Sequence, residues 1–392
     1  MQESQIVIID AVRTPIGRRK GGLASVHPVD LLATAQAGLI ARTGIDPAVV
    51  GQAVGGCVSQ IGEQSFNVTR TAWLAAGLPF AVAATTVDAQ CGSGQQSVNL
   101  AAALAASGTV EVAVGCGVEA MSRIPIGANS SGDFGRPINR SYRQHYNFVT
   151  QFEAAERIAA RWKVTRRDAD ELGVLSQERA ARAWAQGRFT DQIIPVDAPV
   201  PGTDGKPTDR SVRVDQDEGL RPTSLDTLAA LKGVGREDAV HTAGTSSQIS
   251  DGAAAVLLAT ASRAEALGLR ARATVRDTIL VGVDPELMLT GPIDATRQLL
   301  ERNGLTMQDL DVIEINEAFA SVVVAWAREL KADMERVNPN GGAIALGHPL
   351  GASGAVLVTK ALNELERVDG RFALVTMCCG GGLGTGTLIE RH

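Results

Sequence analysis

Two stretches of this chain, TTVDAQCGSGQQSVNLAAALAASG and VNPNGGAIALGHPLGASGAVLVTKAL, repeat one order of features: a short strand-like run, a glycine-rich loop, then a long helix pattern. Each leads into a second apolar run, VEVAVGCGVEAM in the first half and FALVTMCCGGGLG in the second. A chain that carries one βαβ-type unit twice is confined to layered α/β architectures, because parallel strands need helices on both faces. Apolar spacing predicts strands at 6–9, 49–58, 84–87 and 110–114, with helices at 30–41, 69–76 and 92–106. The second half predicts strands at 312–315, at Val337 and at 372–377, with helices at 318–330 and 351–365. Asp30 and Asn316 stand where helix N-caps are expected.

Between the halves the chain changes character. It is turn-rich at SSGDFGRPIN, helical and charged from 153 to 186, then rich in Pro, Gly and Asp through PVDAPVPGTDGKPTD. The buried-type run DGAAAVLLAT at 251–260 follows, so this middle region interrupts the first half before its sheet is complete. The expected organisation is a first core half at 1–119 plus 249–271, an inserted loop domain at 120–248, and a second core half at 272–392.

Composition narrows the function classes. With 45% hydrophobic and 20% charged residues, the 392-residue chain has the balance of a folded globular protein. A net charge of −6 and only 4% aromatic residues argue against a nucleic-acid surface. The middle region alone has a slight basic excess, which suits a small anionic ligand. Five cysteines without framework spacing, and a start without a leader pattern, read as a reduced, cytoplasmic protein. No apolar run reaches membrane-spanning length, and no CxxC pair points to a metal.

Four places could carry chemistry. Cys91 lies between a strand and the helix opened by Gly92-Ser93-Gly94, where free N–H groups and the helix dipole lower a thiol's pKa. The bland reading is a small buried hydrophobe. His348 occupies the equivalent loop of the second half, so two related halves would bring a thiol and an imidazole to one crevice at their strand ends. Seen alone, it could equally be a cap or a surface histidine. Cys378 and Cys379 end a strand before three glycines, and adjacent strand residues point to opposite faces, so at most one can share a cavity with Cys91. Both flanking faces are apolar, and the pattern leaves the choice open. Asn316-Glu317 follows the strand DVIEI as a helix start. Cys57 and Cys116 read as structural, and His27, His145, His241 and His392 have no identifiable partner.

Cys91 in AQCGSG, NEAFA at 316–320, GGAIALGHPLGASGA at 341–355 and Cys378 in CCGGGLG together resemble the thiolase family over essentially the whole chain. The resemblance implies a duplicated α/β core of five layers, α-β-α-β-α, with a loop domain over the coenzyme A site. It implies thiolytic cleavage of a 3-ketoacyl-CoA by CoA to acetyl-CoA and a shortened acyl-CoA, reversible as a Claisen condensation. On that resemblance Cys91 is the acylated nucleophile, His348 the residue that activates it, and Cys378 the acid/base at the acetyl-CoA carbon. Cys379 falls at a variable position. His348 with a water on Asn316 would hold the enolate oxygen, and the N–H groups of Cys91 and Gly380 the tetrahedral intermediate. Ser247 and Arg221 match CoA-contacting positions, and Met288 and Phe319 match the pantetheine channel. No metal and no permanently bound cofactor are implied; CoA is a substrate. The implied setting is fatty-acid β-oxidation and lipid metabolism, in a homodimer or homotetramer without nucleic-acid or membrane partners.

The chain also departs from the pattern. Where acetoacetyl-CoA thiolases commonly carry His-Met-Gly at the start of the loop-domain helix, Thr150, Gln151 and Phe152 stand here, which favours a degradative 3-ketoacyl-CoA thiolase. Thr245 and Gln248 replace an asparagine and a glycine around the pantetheine serine. The alternatives are an acetoacetyl-CoA-specific acetyl-CoA C-acetyltransferase and a non-catalytic acyl-CoA or lipid carrier. A decarboxylating condensing enzyme would carry a second histidine where Asn316 stands.

Overall fold

The computed structural model describes residues 5–132, 135–201 and 207–391. The first half supplies strands β1 (Ile6–Arg13), β2 (Gln52–Gly56), β3 (Ala83–Val87), β4 (Val112–Ala120) and β5 (Ser250–Thr260). The second supplies β6 (Ala273–Gly282), β7 (Val312–Ile315), β8 (Phe372–Cys379) and β9 (Leu383–Glu390). They form one hydrogen-bonded path, β7-β8-β9-β6-β1-β5-β4-β2-β3.

The duplication is visible in this order. In each half the first strand lies against the last, the last runs antiparallel to β4 or β8, and that strand pairs in parallel with an earlier one, β2 in the first half and β7 in the second. β3 completes the first half, whereas its counterpart in the second is a single parallel bridge, Ile313 to Val337. The halves join through two residue pairs, Val7–Thr274 and Ile8–Ala273. β5 pairs with both β1 and β4, so the first sheet does close only after the inserted region.

Helices α1 (Pro28–Thr43) and α2 (Val68–Ala75) cover the outside of the first sheet, and α3 (Ser93–Ala106) covers its inside. The inserted region adds α4 (Gln151–Arg161) and α5 (Arg166–Ala185) and a hairpin of Val196–Pro201 with Pro207–Val214. In the second half α6 (Gly291–Asn303) and α7 (Ala320–Leu330) lie outside, and α8 (Leu350–Arg367) lies inside against α3. Side-chain alternation explains the layering: Val7 and Ile9 of β1 pack with α1, while Ile6 and Ile8 join the core between α3 and α8. Ala373, Val375, Met377 and Cys379 of β8 share that central core, and Leu374 faces the α6–α7 side. This is the expected α-β-α-β-α order.

The central helices approach closely because they lack side chains where they cross. A Cβ on Gly94 would stand 2.6 Å from the Gly351 carbonyl oxygen, and one on Gly354 would stand 2.0 Å from the Gln95 backbone nitrogen. Two helix starts differ from expectation. α1 begins at Pro28 with His27 as N-cap, its Nδ1 accepting from the Val29 N–H at 3.2 Å, because proline suits the first helical position. α7 begins only at Ala320, after extended Phe319, so Asn316 is not its cap. Asn316 instead prolongs the sheet, its backbone N–H donating to the Thr376 carbonyl at 3.1 Å. Among the described residues no helix is long and apolar enough to cross a membrane.

Candidate active site

Cys91 sits at the top of a tight loop. Gln90, just before it, has φ +54°, a left-handed conformation that costs a non-glycine residue about 1 kcal/mol. Side chains hold it there: Asp88 Oδ1 accepts the Gln90 N–H at 2.7 Å, Ser93 Oγ accepts the Ala89 N–H at 2.9 Å, and that hydroxyl donates to the Gln90 carbonyl at 2.6 Å. The Gln90 twist turns Cys91 back over the start of α3, where the backbone N–H groups of Gly380 and Cys91 itself point at the sulfur.

His348 lies three residues before Gly351, as Cys91 lies three before Gly94, and these two glycines touch where α8 crosses α3. The two loops are thus brought to the same crossing of α3 and α8. The imidazole is buried and held at both nitrogens: Nδ1 is 2.5 Å from Ser353 Oγ, and Nε2 is 3.3 Å from Asn316 Nδ2. Ser353 Oγ donates its hydrogen to the Pro349 carbonyl at 2.8 Å. That hydroxyl must then accept from Nδ1–H, which leaves the Nε2 lone pair beside Asn316.

The two adjacent cysteines separate as strand geometry requires. Cys379 turns inward, its sulfur 2.6 Å from where a Cβ on Gly92 would stand, and packs behind the Cys91 loop. Cys378 turns to the opposite face, among Met288, Leu289, Ala318, Phe319 and Val149. Of the two, Cys378 shares its surroundings with the residues expected to line the pantetheine channel. Its thiol is pushed up, first by burial and then by the neighbouring Cys91 sulfur, which acts on Cys379 as well.

One expectation reverses. Position at a helix start was expected to lower the Cys91 pKa, yet burial pushes it up to about 11 and outweighs the two backbone N–H groups. Burial also pushes His348 down to about 4. Because removal from water disfavours both charged forms, the resting pair is a neutral thiol and a neutral imidazole between those values. Alkylation of Cys91 by iodoacetamide should therefore rise about tenfold per pH unit from 7 to 9, since thiolate is the reactive form. A plateau in this range, read by mass mapping of the Cys91 peptide, would mean a resting thiolate–imidazolium pair instead.

The residues that the resemblance assigns to CoA are held by local contacts. Arg221 is exposed, and its guanidinium donates to the Ala243 carbonyl at 2.9 Å. The Ser247 N–H donates to the Ala318 carbonyl at 2.9 Å, next to Phe319, whose ring meets Phe152 edge-on at 5.2 Å. Met288, at φ +51°, is buried in the same cluster. Thr245 is buried within its own turn, and Gln248 ties the Gly219 carbonyl to those of Ile344 and Ala345.

Several supporting residues escaped the sequence reading. Buried Glu119 accepts N–H groups from Val58, Ser59 and Gly351 and an amide hydrogen from Gln64, so one carboxylate binds the first half to the start of α8. Glu317 accepts from Ser176 Oγ at 2.6 Å, Asn338 Nδ2 at 2.9 Å and the Ile344 N–H at 3.2 Å, fastening the inserted region to the His348 loop. His241 does have partners: its Nδ1 meets Glu156 at 2.6 Å, its Nε2 accepts from the Ser321 N–H, and its ring flanks Phe319. No local pattern marks these groups, because their partners lie 21 to 232 residues away. Cys57 and Cys116 are buried free thiols, His145 is exposed, and His392 lies outside the described residues.

Comparison with known proteins decides the family. Residues 6–262 match the thiolase N-terminal domain and residues 269–391 the thiolase C-terminal domain. The chain belongs to the thiolase family. It is 48% identical to a steroid 3-ketoacyl-CoA thiolase of Mycobacterium tuberculosis, over 99% of this chain and 94% of that one. It is 43% identical to a beta-ketoadipyl-CoA thiolase of Acinetobacter baylyi, over 98% of each chain. A 3-ketoacyl-CoA thiolase of Bacillus subtilis is 40% identical over 98% of this chain and 99% of that one. Among solved structures, an acetyl-CoA acetyltransferase of Bacillus anthracis superposes with a TM-score of 0.91 at 34% identity, covering 99% of each chain. This thiolase is thus an acyltransferase of the 3-ketoacyl-CoA type, with the duplicated fold its sequence implies.

Proposed function

We propose that this thiolase cleaves 3-ketoacyl-CoA through an acyl-enzyme on Cys91. The observation that carries this reading is that α8 crosses α3 at Gly351 and Gly94, three residues beyond His348 and Cys91, with Asn316 3.3 Å from His348 Nε2 and the Cys91 sulfur acting on the Cys378 thiol. His348 Nε2 takes the Cys91 proton as the sulfur attacks the 3-keto carbon, whose oxygen the Cys91 and Gly380 N–H groups receive. The bond between carbons 2 and 3 then breaks, and its electron pair forms the enolate of acetyl-CoA. His348, now a donor at Nε2, and the adjacent Asn316 amide stabilise that enolate oxygen while Cys378 delivers its proton to carbon 2. Free CoA gives its proton to the Cys378 thiolate and attacks the thioester. This releases the shortened acyl-CoA, and the Cys91 sulfur recovers its proton from His348.

Thiols suit both tasks here, because thioester and thiol exchange at little cost in free energy and neither needs a metal or a resident cofactor. Met288 and Phe319 are placed to line the pantetheine arm, Ser247 to contact it, and Arg221 to meet the phosphate end. The organisation that serves this chemistry is a core of 1–119 plus 249–271 and 272–392, with 120–248 as the covering domain. Five unpaired cysteines fit a reducing compartment such as the cytoplasm.

The decisive test is intact mass after incubation with acetyl-CoA and with a longer 3-ketoacyl-CoA, followed by peptide mapping. An adduct on Cys91 that free CoA removes supports the mechanism. Binding of CoA with no adduct from either donor would leave the carrier reading.

The exposed edge of β3 supports a second copy of the chain as partner. Around this unpaired edge Phe66 is 94% and Phe80 82% exposed, and Phe66 sits at φ +59°, so the chain holds a strained turn to present an apolar ring. Light scattering should give a dimer or a dimer of dimers, and Phe66→Asp with Phe80→Asp should shift it towards monomer; a monomeric wild-type protein would refute the assignment.

A further inference from the structure

Two side-chain amides that the reaction does not use meet over Gly380. A Cβ on Gly380 would stand 3.0 Å from Gln90 Oε1 and 3.2 Å from Gln151 Nε2, so both amides face the same space over the glycine whose N–H points at Cys91. Their orientations have different causes. The Gln90 amide nitrogen is turned outward onto the Asp88 carboxylate, at 3.3 and 3.4 Å, which leaves its carbonyl oxygen facing the site. Gln151 is the first residue of α4, positioned by its cap Thr150, whose hydroxyl accepts the Glu153 N–H at 3.2 Å. Its half-buried amide has no hydrogen-bond partner among the described residues, and the two amides are not bonded to each other.

We propose that Gln90 and Gln151 form a polar subsite that selects 3-ketoacyl-CoA substrates bearing a neutral oxygen, a hydroxyl foremost, on the acyl chain. This deepens the reading of the chain as a 3-ketoacyl-CoA thiolase and rests on it. An acceptor fixed by Asp88 and a free NH₂ donor facing one space are together complementary to a hydroxyl, which donates to Gln90 Oε1 and accepts from Gln151 Nε2. A ketone satisfies Gln151 alone. An alkyl chain leaves both amides without partners once water is displaced, which penalises it. A carboxylate would face the Gln90 oxygen and bring a second negative charge towards Asp88. No other group has to move for this selection: α4 and the Cys91 loop already present the two amides.

The test compares kcat/KM of the wild-type enzyme and Gln151→Met on CoA thioesters of one length: 3-ketohexanoyl, its 5-hydroxy and 6-hydroxy derivatives, and the 3-oxoadipyl thioester ending in a carboxylate. The expected wild-type result is a preference of about tenfold for at least one hydroxylated chain over the alkyl chain, and a larger one over the carboxylate. Gln151→Met should bring the hydroxyl preference to within about twofold while cleaving the alkyl thioester at least as well as wild type. Thermal unfolding of the variant checks that the fold is kept. An unchanged preference in Gln151→Met, or a wild-type preference for the carboxylate or alkyl chain, overturns the subsite. Failure of the wild-type enzyme to cleave any of the thioesters, with no adduct on Cys91, would instead overturn the thiolase mechanism on which it rests.

Discussion

Replacing Cys91 by alanine is expected to remove the acyl-enzyme altogether and lower thiolytic cleavage by at least roughly 10⁴-fold. Cys378→Ala should lower cleavage and condensation by about 10³-fold or more, while a simple acyl-CoA still acylates Cys91 within about tenfold of the wild-type rate. The asymmetry follows from position. The Gly380 N–H acts on the Cys91 sulfur, whereas Cys378 packs among Met288 and Phe319, where the proposed mechanism handles the acetyl-CoA carbon. Cys379→Ala serves as the control, because that side chain packs against Gly92 and the central core, and its loss should leave cleavage within about threefold. Intact-mass kinetics of acylation beside steady-state cleavage separates the cases. Equal and complete loss of acylation in Cys91→Ala and Cys378→Ala would refute the division of roles, and an inactive but folded Cys379→Ala would mean that the other face carries the acid.

A second large effect is expected far from any reacting atom. Gly354→Ala should destabilise the protein by about 3 kcal/mol, or prevent soluble expression, because the added Cβ would stand 2.0 Å from the Gln95 nitrogen and 2.6 Å from its Cα. These are backbone atoms of α3, which cannot swing aside as a side-chain end can. Relief would require α3 and α8 to separate, and the same helices carry the Cys91 and His348 loops, so residual activity should fall more steeply than stability. Gly282→Ala is the comparison: nothing lies within 4 Å of its Cβ position, and its midpoint in urea should stay within about 0.5 kcal/mol of wild type. Equal shifts for the two variants would show that the crossing is not as tight as its geometry states.

The duplicated pattern was legible because it is local. The strand–loop–helix runs at 84–106 and 337–365 each contain the apolar spacing, the glycines and the reactive residue within one continuous stretch. The observed β3, α3 and α8 fall on them within a few residues. β9 was passed over for a reason its environment supplies. Its sequence LGTGTLIE is broken by glycines because Gly384 lies against the backbone of Gly291 and Gly386 against Leu299, so α6 can approach only a strand face that is nearly bare there.

Residue identity and spacing alone therefore determined the repeat, the layered α/β class, the pairing of a Cys91 loop with a His348 loop, and the rule that Cys378 and Cys379 part to opposite faces. Only the tertiary structure decided which cysteine turns towards Met288 and Phe319, because both faces of β8 are apolar in sequence and differ only in what packs against them. It also decided the charge state at rest. A helix start is readable from sequence and lowers a thiol's pKa, but the depth of burial that pushes Cys91 up and His348 down is a property of the assembled layers. The supports of the site, Glu119 on Gly351 and Glu317 on Ser176, depend on contacts between segments distant in the chain, and hydrogen bonding of that kind leaves no periodicity for a sequence to display.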